Sequence, residues 1–477
     1  MDTTILNVGY NSIVSSLGAT LDEVSWASTA YTLAGITMLP LAGWLSARFG
    51  RKRIFMLILL LFTLGSMLCG LATSATQLGL FRLVQGFGGG LLGTMSQAIF
   101  LDAYPDEYRR EGFNLISVVV MVGPFLGPIV GGFVLEHSAW PALFFINVPL
   151  GVFTLWLAST LDLDQSVKSV PAKFSYVTIG LVFGALLSLQ FALQSGQRLG
   201  WFDSAAIRWA LFGGIALLTI LILQELRLRN PMINLRLFAD RGFLVGNIFS
   251  LVAGASNYGI AFLSPLFVQQ VLGFSPLQAG LITIPAALAM FVGNRIQDVA
   301  SRRISTYLLV IIGTLCLAVA LWYNGVFADR NSFETLTWIR ILQGVGFGLF
   351  LIPIGVMMLH SISKRDLDSA SGLGSLIRQF GGMVGIALVA ATIERSHDFF
   401  LRRLLLDVPR WPYLTSPAAR MPSAIVSSIS RRADVLAYQQ VYALSASVML
   451  VMAAAVAVYW FFEWRYRQLA TSMAANA

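Results

Sequence analysis

The chain has 477 residues, is 57% hydrophobic and only 12% charged, and has a mean hydropathy of +0.75. A soluble globular protein of this length cannot hide that much apolar surface, so that class is excluded. The net charge of +9 does not argue for nucleic acid, because it follows the placement of loops described below.

Repeated runs of about 20 apolar residues indicate an α-helical membrane protein; membrane β-strands would run to about 10 residues and alternate. The first predicted span, Met1 to about Leu17, is short and holds Asp-Thr-Thr-Ile-Leu-Asn-Val. A full span needs several apolar residues before Asp2. Either the helix stops short of the inner surface or the start codon lies upstream, and the missing apolar residues favour the second. A second span covers about Trp26 to Ser46, running into the tight basic turn Gly43 to Arg53. Spans three to six cover about Ile54–Thr73, Leu78–Leu101, Gly112–Leu135 and Ala142–Leu161. A polar linker, Asp162 to Lys173, precedes two more spans at about Phe174–Gln194 and Ala205–Glu225. Leu226 to Arg241 alternates Leu with Arg and reads as an amphipathic segment on the membrane surface. Five spans begin near Gly242, Ser275, Ser305, Glu334 and Ser369. A long polar segment, Glu394 to Ala437, leads to the last, about Tyr438 to Phe462. The total is fourteen.

One pattern occurs twice. Arg340, Gln343, Gly344, Gly346 and Gly348 repeat Arg82, Gln85, Gly86, Gly88 and Gly90 at a constant offset of 258. Gly381 and Gly385 repeat Gly123 and Gly127 at the same offset. The fold expected is therefore two related six-helix halves, residues 1–162 and 242–477, the second including an outer segment 394–437, separated by two inserted helices in 163–241. Of the 32 Lys and Arg, 19 fall in segments that face the cytoplasm if both termini do, as the positive-inside rule requires. The seven Arg of the segment 394–437 run against it. Cys69 and Cys316 both sit mid-span and read as free, buried thiols. No cleavable signal peptide pattern opens the chain.

These motifs resemble the fourteen-helix drug:proton antiporter branch of the major facilitator superfamily, the EmrB/QacA type, over essentially the whole chain. Met1 to Val8 is similar to that branch's first-helix signature. The turn Gly43, Arg48, Gly50 and Arg51 is similar to its gate loop between helices 2 and 3. Arg82-Leu-Val-Gln-Gly86 matches its fourth-helix motif. Gly123-Pro124-Phe-Leu-Gly127-Pro128-Ile-Val-Gly131-Gly132 matches its antiporter motif, and Phe144 to Gly151 a sixth-helix signature. Ala47 stands where the loop motif carries Asp, and Trp140-Pro-Ala where the signature opens Trp-Arg-Trp.

The resemblance implies an inner-membrane, multi-pass protein that exchanges protons for drugs. It implies proton coupling by Asp2 with Arg82. Asp2 is the only acid placed within a predicted span. Burial raises a carboxyl group's pKa toward neutrality, and a nearby cation opposes this, so a change in their pairing would move a proton. The alternative is that Asp2 is solvated at the inner surface. Arg82 and Gln85 lie one turn apart, which suits either coupling or a structural contact. Asn7, Tyr31, Gln85, Gln97, Asn257, Tyr258, Arg378 and Gln379 are the polar or amphipathic side chains expected to face a central cavity, although packing or lipid exposure suits each alone as well. The glycines and prolines at 123–132 suit close helix packing and a bent helix.

Partners implied are the bilayer, protons and a bulky amphipathic substrate. The segment 394–437 would be either a docking site for a periplasmic adaptor, with an outer-membrane channel beyond it, or a linker. A single-metabolite or siderophore transporter shares this fold. An enzyme needs clustered acid, base or metal ligands, whereas His137, His360 and His397 lie far apart in predicted loops or helix ends. No Gly-x-x-x-x-Gly-Lys loop is present. No cofactor or metal is expected.

Overall fold

The computed structural model describes all residues except 1, 20, 104–126, 128–129, 161–174, 197–198, 229–230, 275, 327–331, 363–365, 408–422 and 477. Within helices, some side chains also fall outside the described set, among them Asp2, Asn7 and Gln97. Every regular element among the described residues is helical. In chain order these are α1 (Asp2–Leu17), α2 (Leu21–Met38), α3 (Ala42–Phe49), α4 (Arg51–Gly70) and α5 (Ala75–Ala103). There follow α6 (Ala142–Phe145), α7 (Asn147–Thr160), α8 (Tyr176–Ser195), α9 (Ala205–Arg227) and α10 (Arg241–Leu266). The last are α11 (Pro276–Ala300), α12 (Thr306–Val326), α13 (Phe333–Leu359), α14 (Leu367–Asp407) and α15 (Ser423–Asn476).

Nine helices among the described residues are long and apolar enough to cross a membrane. Of the other predicted spans, α1, α2 with α3, α5 and α11 are helical too. Most of the fifth predicted span lies outside the described residues. The protein is therefore an all-helical, multi-pass membrane protein. Helix geometry is the only open-chain solution in lipid, because it pairs every backbone N–H and C=O within one segment.

The chain forms two compact units. The first is Met1–Asn247 with Met358–Gln379. Its core joins Ile5 and Ile13 of α1, Val24 and Ala27 of α2, Cys69, Leu78, and Trp140 with Leu143 and Phe144. The inserted helix α8 docks on α2 by stacking Phe191 on Trp26, centroids 5.9 Å apart. The second unit is Ile248–Met357 with Phe380–Ala477. In it α12 lies along α15: Tyr307 stacks on Trp460 at 6.4 Å, and its hydroxyl donates to the Glu463 carboxylate.

The internal repeat extends beyond the residues that reveal it in sequence. Gly86 meets the Tyr31 carbonyl in the first unit, and Gly344 meets the Ala286 carbonyl in the second. Gly88 sits against Ile58 and Phe62, and Gly346 against Gly313 and Leu317. In each case a Cβ would collide with the facing residue, so these crossings need glycine. The facing residues repeat at 255, as 286 against 31 and 313 against 58 show, whereas the glycines repeat at 258. The three-residue difference falls between the facing residues and the glycines: α12 ends one residue later than the 255 register of α4, and two more residues separate α12 from α13 than separate α4 from α5. Gly131 of the fifth predicted span faces Ile5 of α1, and Gly381 and Gly385 of the thirteenth face Leu251 and Ala255 of α10.

Several expectations need correction. The segment 394–437 is not a plain polar connection: α14 continues unbroken to Asp407, and α15 starts at Ser423. No Gly or Pro interrupts residues 386–408, whereas four prolines fall in 409–422, so local propensity carries the helices past the apolar windows. At 41 and 54 residues, these helices are about 60 and 80 Å long, against a hydrocarbon core of about 30 Å. His397 lies within α14 rather than in a loop or at a helix end, and its Nδ1 is 2.8 Å from Asp434 of α15. Among the described residues of the Leu226–Arg241 segment, Leu235–Ala239 forms a 3-10 turn, and Met232 and Ile233 are buried. Cys69 and Cys316 are free as expected, but Cys316 is only half-buried.

Candidate functional site

Arg82 lies one turn before Gln85 on α5, and both are fully buried at 0% exposure. Its Nη1 donates to Gln85 Oε1 at 2.8 Å. The guanidinium carbon lies 4.6 Å from the Tyr31 ring centroid and 5.4 Å from that of Phe144. Two π faces thus take the place of part of the water shell a buried cation loses. Gln85 Oε1 also accepts from the Cys69 thiol, with sulfur 3.7 Å away. Beside it, Ser66 donates to the Phe144 carbonyl at 2.9 Å and accepts from Asn147 at 3.0 Å. The aromatic that faces Arg82 is therefore fixed by its own backbone. Four elements, α2, α4, α5 and the α6–α7 span, converge on this one charge.

The second unit holds the counterpart. Arg340 of α13 is 1% exposed, and its Nη1 donates to Gln343 Oε1 at 2.7 Å and to Ser264 Oγ at 2.6 Å. Tyr442 of α15 is 0% exposed, with its hydroxyl beside Arg340 and Ser264. The repeat thus places a buried Arg–Gln turn in each unit, with aromatic rings around Arg82 and two hydroxyls beside Arg340.

Other predicted site residues fall as follows. Tyr31 and Gln85 join Arg82. The side chains of Asp2, Asn7 and Gln97 lie outside the described set, as do Gly123, Pro124 and Pro128 altogether. Gly127, Gly131 and Gly132 are helical, and Gly127 and Gly131 are buried. In the second unit Tyr258 is 43% exposed with its ring lying over Gly382, and Asn257 is half-buried. Arg378 is exposed and Gln379 half-buried, both in the first unit. Gly43 lies in α3, Arg48 is exposed, and Arg51 opens α4 half-buried. Gly50 between α3 and α4 has φ 87°, a conformation that favours glycine.

Sequence reasoning missed three participants. Ser264 and Tyr442 sit inside apolar helices, and only the Ser264-Pro265 pair hints at an irregular turn. Glu225 is also a buried acid, at 1% exposure, so Asp2 is not the only candidate within the predicted spans.

The family model for the Major Facilitator Superfamily matches residues 1–386 and 247–472. The chain is 30% identical over 395 residues to the fatty acid resistance protein FarB of Neisseria gonorrhoeae, covering 83% of this chain and 78% of that one. It is 29% identical over 393 residues to the multidrug export protein EmrB of Escherichia coli (strain K12), covering 81% of this chain and 76% of that one. The solved structure of the proton:xylose symporter XylE bound to 6-bromo-6-deoxy-D-glucose has a TM-score of 0.58. It covers 95% of this chain and 92% of its own at 14% identity, a likeness of fold alone.

Proposed function

The chain belongs to the major facilitator superfamily, and from that premise we propose that it exports hydrophobic or amphipathic compounds across the cytoplasmic membrane in exchange for protons. The observation that carries this reading is the buried Arg82–Gln85 turn, a cation sunk among Tyr31 and Phe144. A charge placed this deep is expensive and suits a coupling site. The names of the relatives, multidrug export and fatty acid resistance, support efflux of amphipathic molecules.

In this mechanism the two halves rock about a midplane site. Asp2 takes a proton from outside and releases it inside, and its pairing with Arg82 sets when. Asn7, Tyr31, Gln97, Asn257, Tyr258, Arg378 and Gln379 line the cavity. The glycine and proline motif at 123–132 is the element tied to antiport direction. Arg48 and Arg51 act at the cytoplasmic gate, with both termini on that side. The helical extensions 394–407 and 423–437 offer a surface to a periplasmic adaptor. One proton moving inward is worth roughly 2.3 kcal/mol per 100 mV, enough for about a 50-fold gradient of a neutral solute.

The test is proton flux in vesicles carrying the purified protein under an imposed pH gradient. Several unrelated lipophilic compounds should each collapse the gradient, and Asp2→Asn should abolish the response. A response to one compound only would return the protein to single-substrate transport. Undiminished flux in Asp2→Asn would remove Asp2 from the mechanism.

A further inference from the structure

Arg340 uses one corner of its guanidinium and leaves another open. Nη1 is engaged twice, by Ser264 Oγ and Gln343 Oε1. Nε and Nη2 are buried and have no hydrogen-bond partner. These two N–H groups form the parallel edge of the guanidinium, spaced for two oxygens of one planar anion. The Tyr442 hydroxyl, also buried, lies beside the same group and Ser264.

The local backbone is irregular at this point. Pro265 lies inside the last turn of α10 directly after Ser264, and Phe267–Val271, which follows, forms a π-helical turn. Such turns are rare, and they gather at functional sites. Phe267 packs on both Tyr438 and Tyr442, centroids 5.7 and 5.3 Å apart, and the Tyr438 hydroxyl donates to Gln270 at 2.8 Å. All these residues belong to the second unit. Among the described residues, Tyr442 with Phe267 and Tyr438 forms an aromatic cluster beside Arg340, the one cation among the residues named here.

We propose that Arg340, held by Ser264 and Gln343, is the anchor of a carboxylate-binding niche for amphipathic monoanions, which opens by movement of the π-helical turn that follows α10. A single positive charge balances a monocarboxylate and leaves a phosphate dianion uncompensated. The aromatic walls suit the apolar tail. The niche is closed in the conformation described, so entry requires the Pro265 segment to move. The inference takes the export reading as its setting, and its test reads binding without any gradient.

The test uses the full chain in lipid nanodiscs, with empty nanodiscs as the partition baseline. The probes are dodecanoate and its methyl ester, which differ in charge at one chain length. Wild type should prefer the acid by about tenfold or more, the size expected for a charge-assisted pair of hydrogen bonds. Arg340→Gln should erase that preference while ester binding stays. Arg340→Lys keeps the charge without the fork and should lose most of the preference; it decides the matter if the Gln variant fails to fold. Equal binding of acid and ester by wild type, binding of neither above the baseline, or a preference that survives both substitutions overturns the niche. Proton flux measured on the same protein separates the two readings. Lost flux with an intact preference sinks proton-coupled export alone, and the reverse sinks the niche alone.

Discussion

Thr178 of α8 donates its hydroxyl to Glu225 of α9 at 2.6 Å, and the second carboxylate oxygen accepts from the Ile233 backbone at 2.9 Å. Gln224 donates to the same threonine at 3.0 Å. One buried acid thus ties the inserted helix pair to the segment that leaves it. Glu225→Ala should destabilise this corner by about 2 kcal/mol, because it orphans a buried hydroxyl and a buried amide. Limited proteolysis should then cut faster at residues 228–240. Unchanged cleavage would mean that the buried Met232 and Ile233 hold the segment alone.

The glycine crossings predict a paired result. Gly86→Val and Gly344→Val each push a branched side chain into a facing carbonyl, of Tyr31 and Ala286 respectively. Each should cost roughly 1–3 kcal/mol or more, read as a loss of thermal stability in detergent. Gly93→Ala and Gly355→Ala meet no atom within 4 Å and should leave stability unchanged or slightly raised. Equal losses at all four positions would show that helix propensity, not close approach, governs them.

Arg82→Lys keeps the charge but loses the flat guanidinium that sits between Tyr31 and Phe144 and grips Gln85. On the export reading, substrate-dependent proton flux should fall at least about tenfold while the protein stays folded. Full flux in the lysine variant would mean that charge alone suffices at this position.

Asp240 offers a pH test outside the spans. Burial pushes its carboxyl up, but hydrogen bonds from Ser361 and from the Phe243 and Gly242 amides outweigh this and hold it below the ordinary value of 3.8. A depressed native pKa stabilises the fold above the unfolded value, and that contribution is lost as pH falls through the native one. Wild type should therefore lose protection of the first α10 amides only below about pH 4. In Asp240→Asn that acid step should vanish from hydrogen exchange. An identical step in the variant would assign it to another carboxylate.

The membrane class, the two-fold repeat and the buried Arg82–Gln85 turn were all legible in the residues. Apolar runs of span length have one physical solution in lipid, and a charge with a glutamine one turn later marks a helix face. The partners of that face were not legible. Tyr31 and Ala286 fill equivalent places although one is aromatic and the other a methyl group, because a glycine packs on their backbone carbonyls and leaves their side chains free to differ. The 255 register of those partners therefore leaves no pattern to read. The boundaries of α14 and α15 were hidden for another reason: hydropathy reports where lipid begins, not where hydrogen-bonded backbone ends. Sequence alone determined that this chain crosses the membrane many times as two related halves. Only the tertiary structure decided that Arg82 meets two rings, that Arg340 meets two hydroxyls with one edge unclaimed, and that Glu225 is buried. Those outcomes depend on which helices cross at which residue, and that geometry arises from packing rather than from spacing along one strand of sequence.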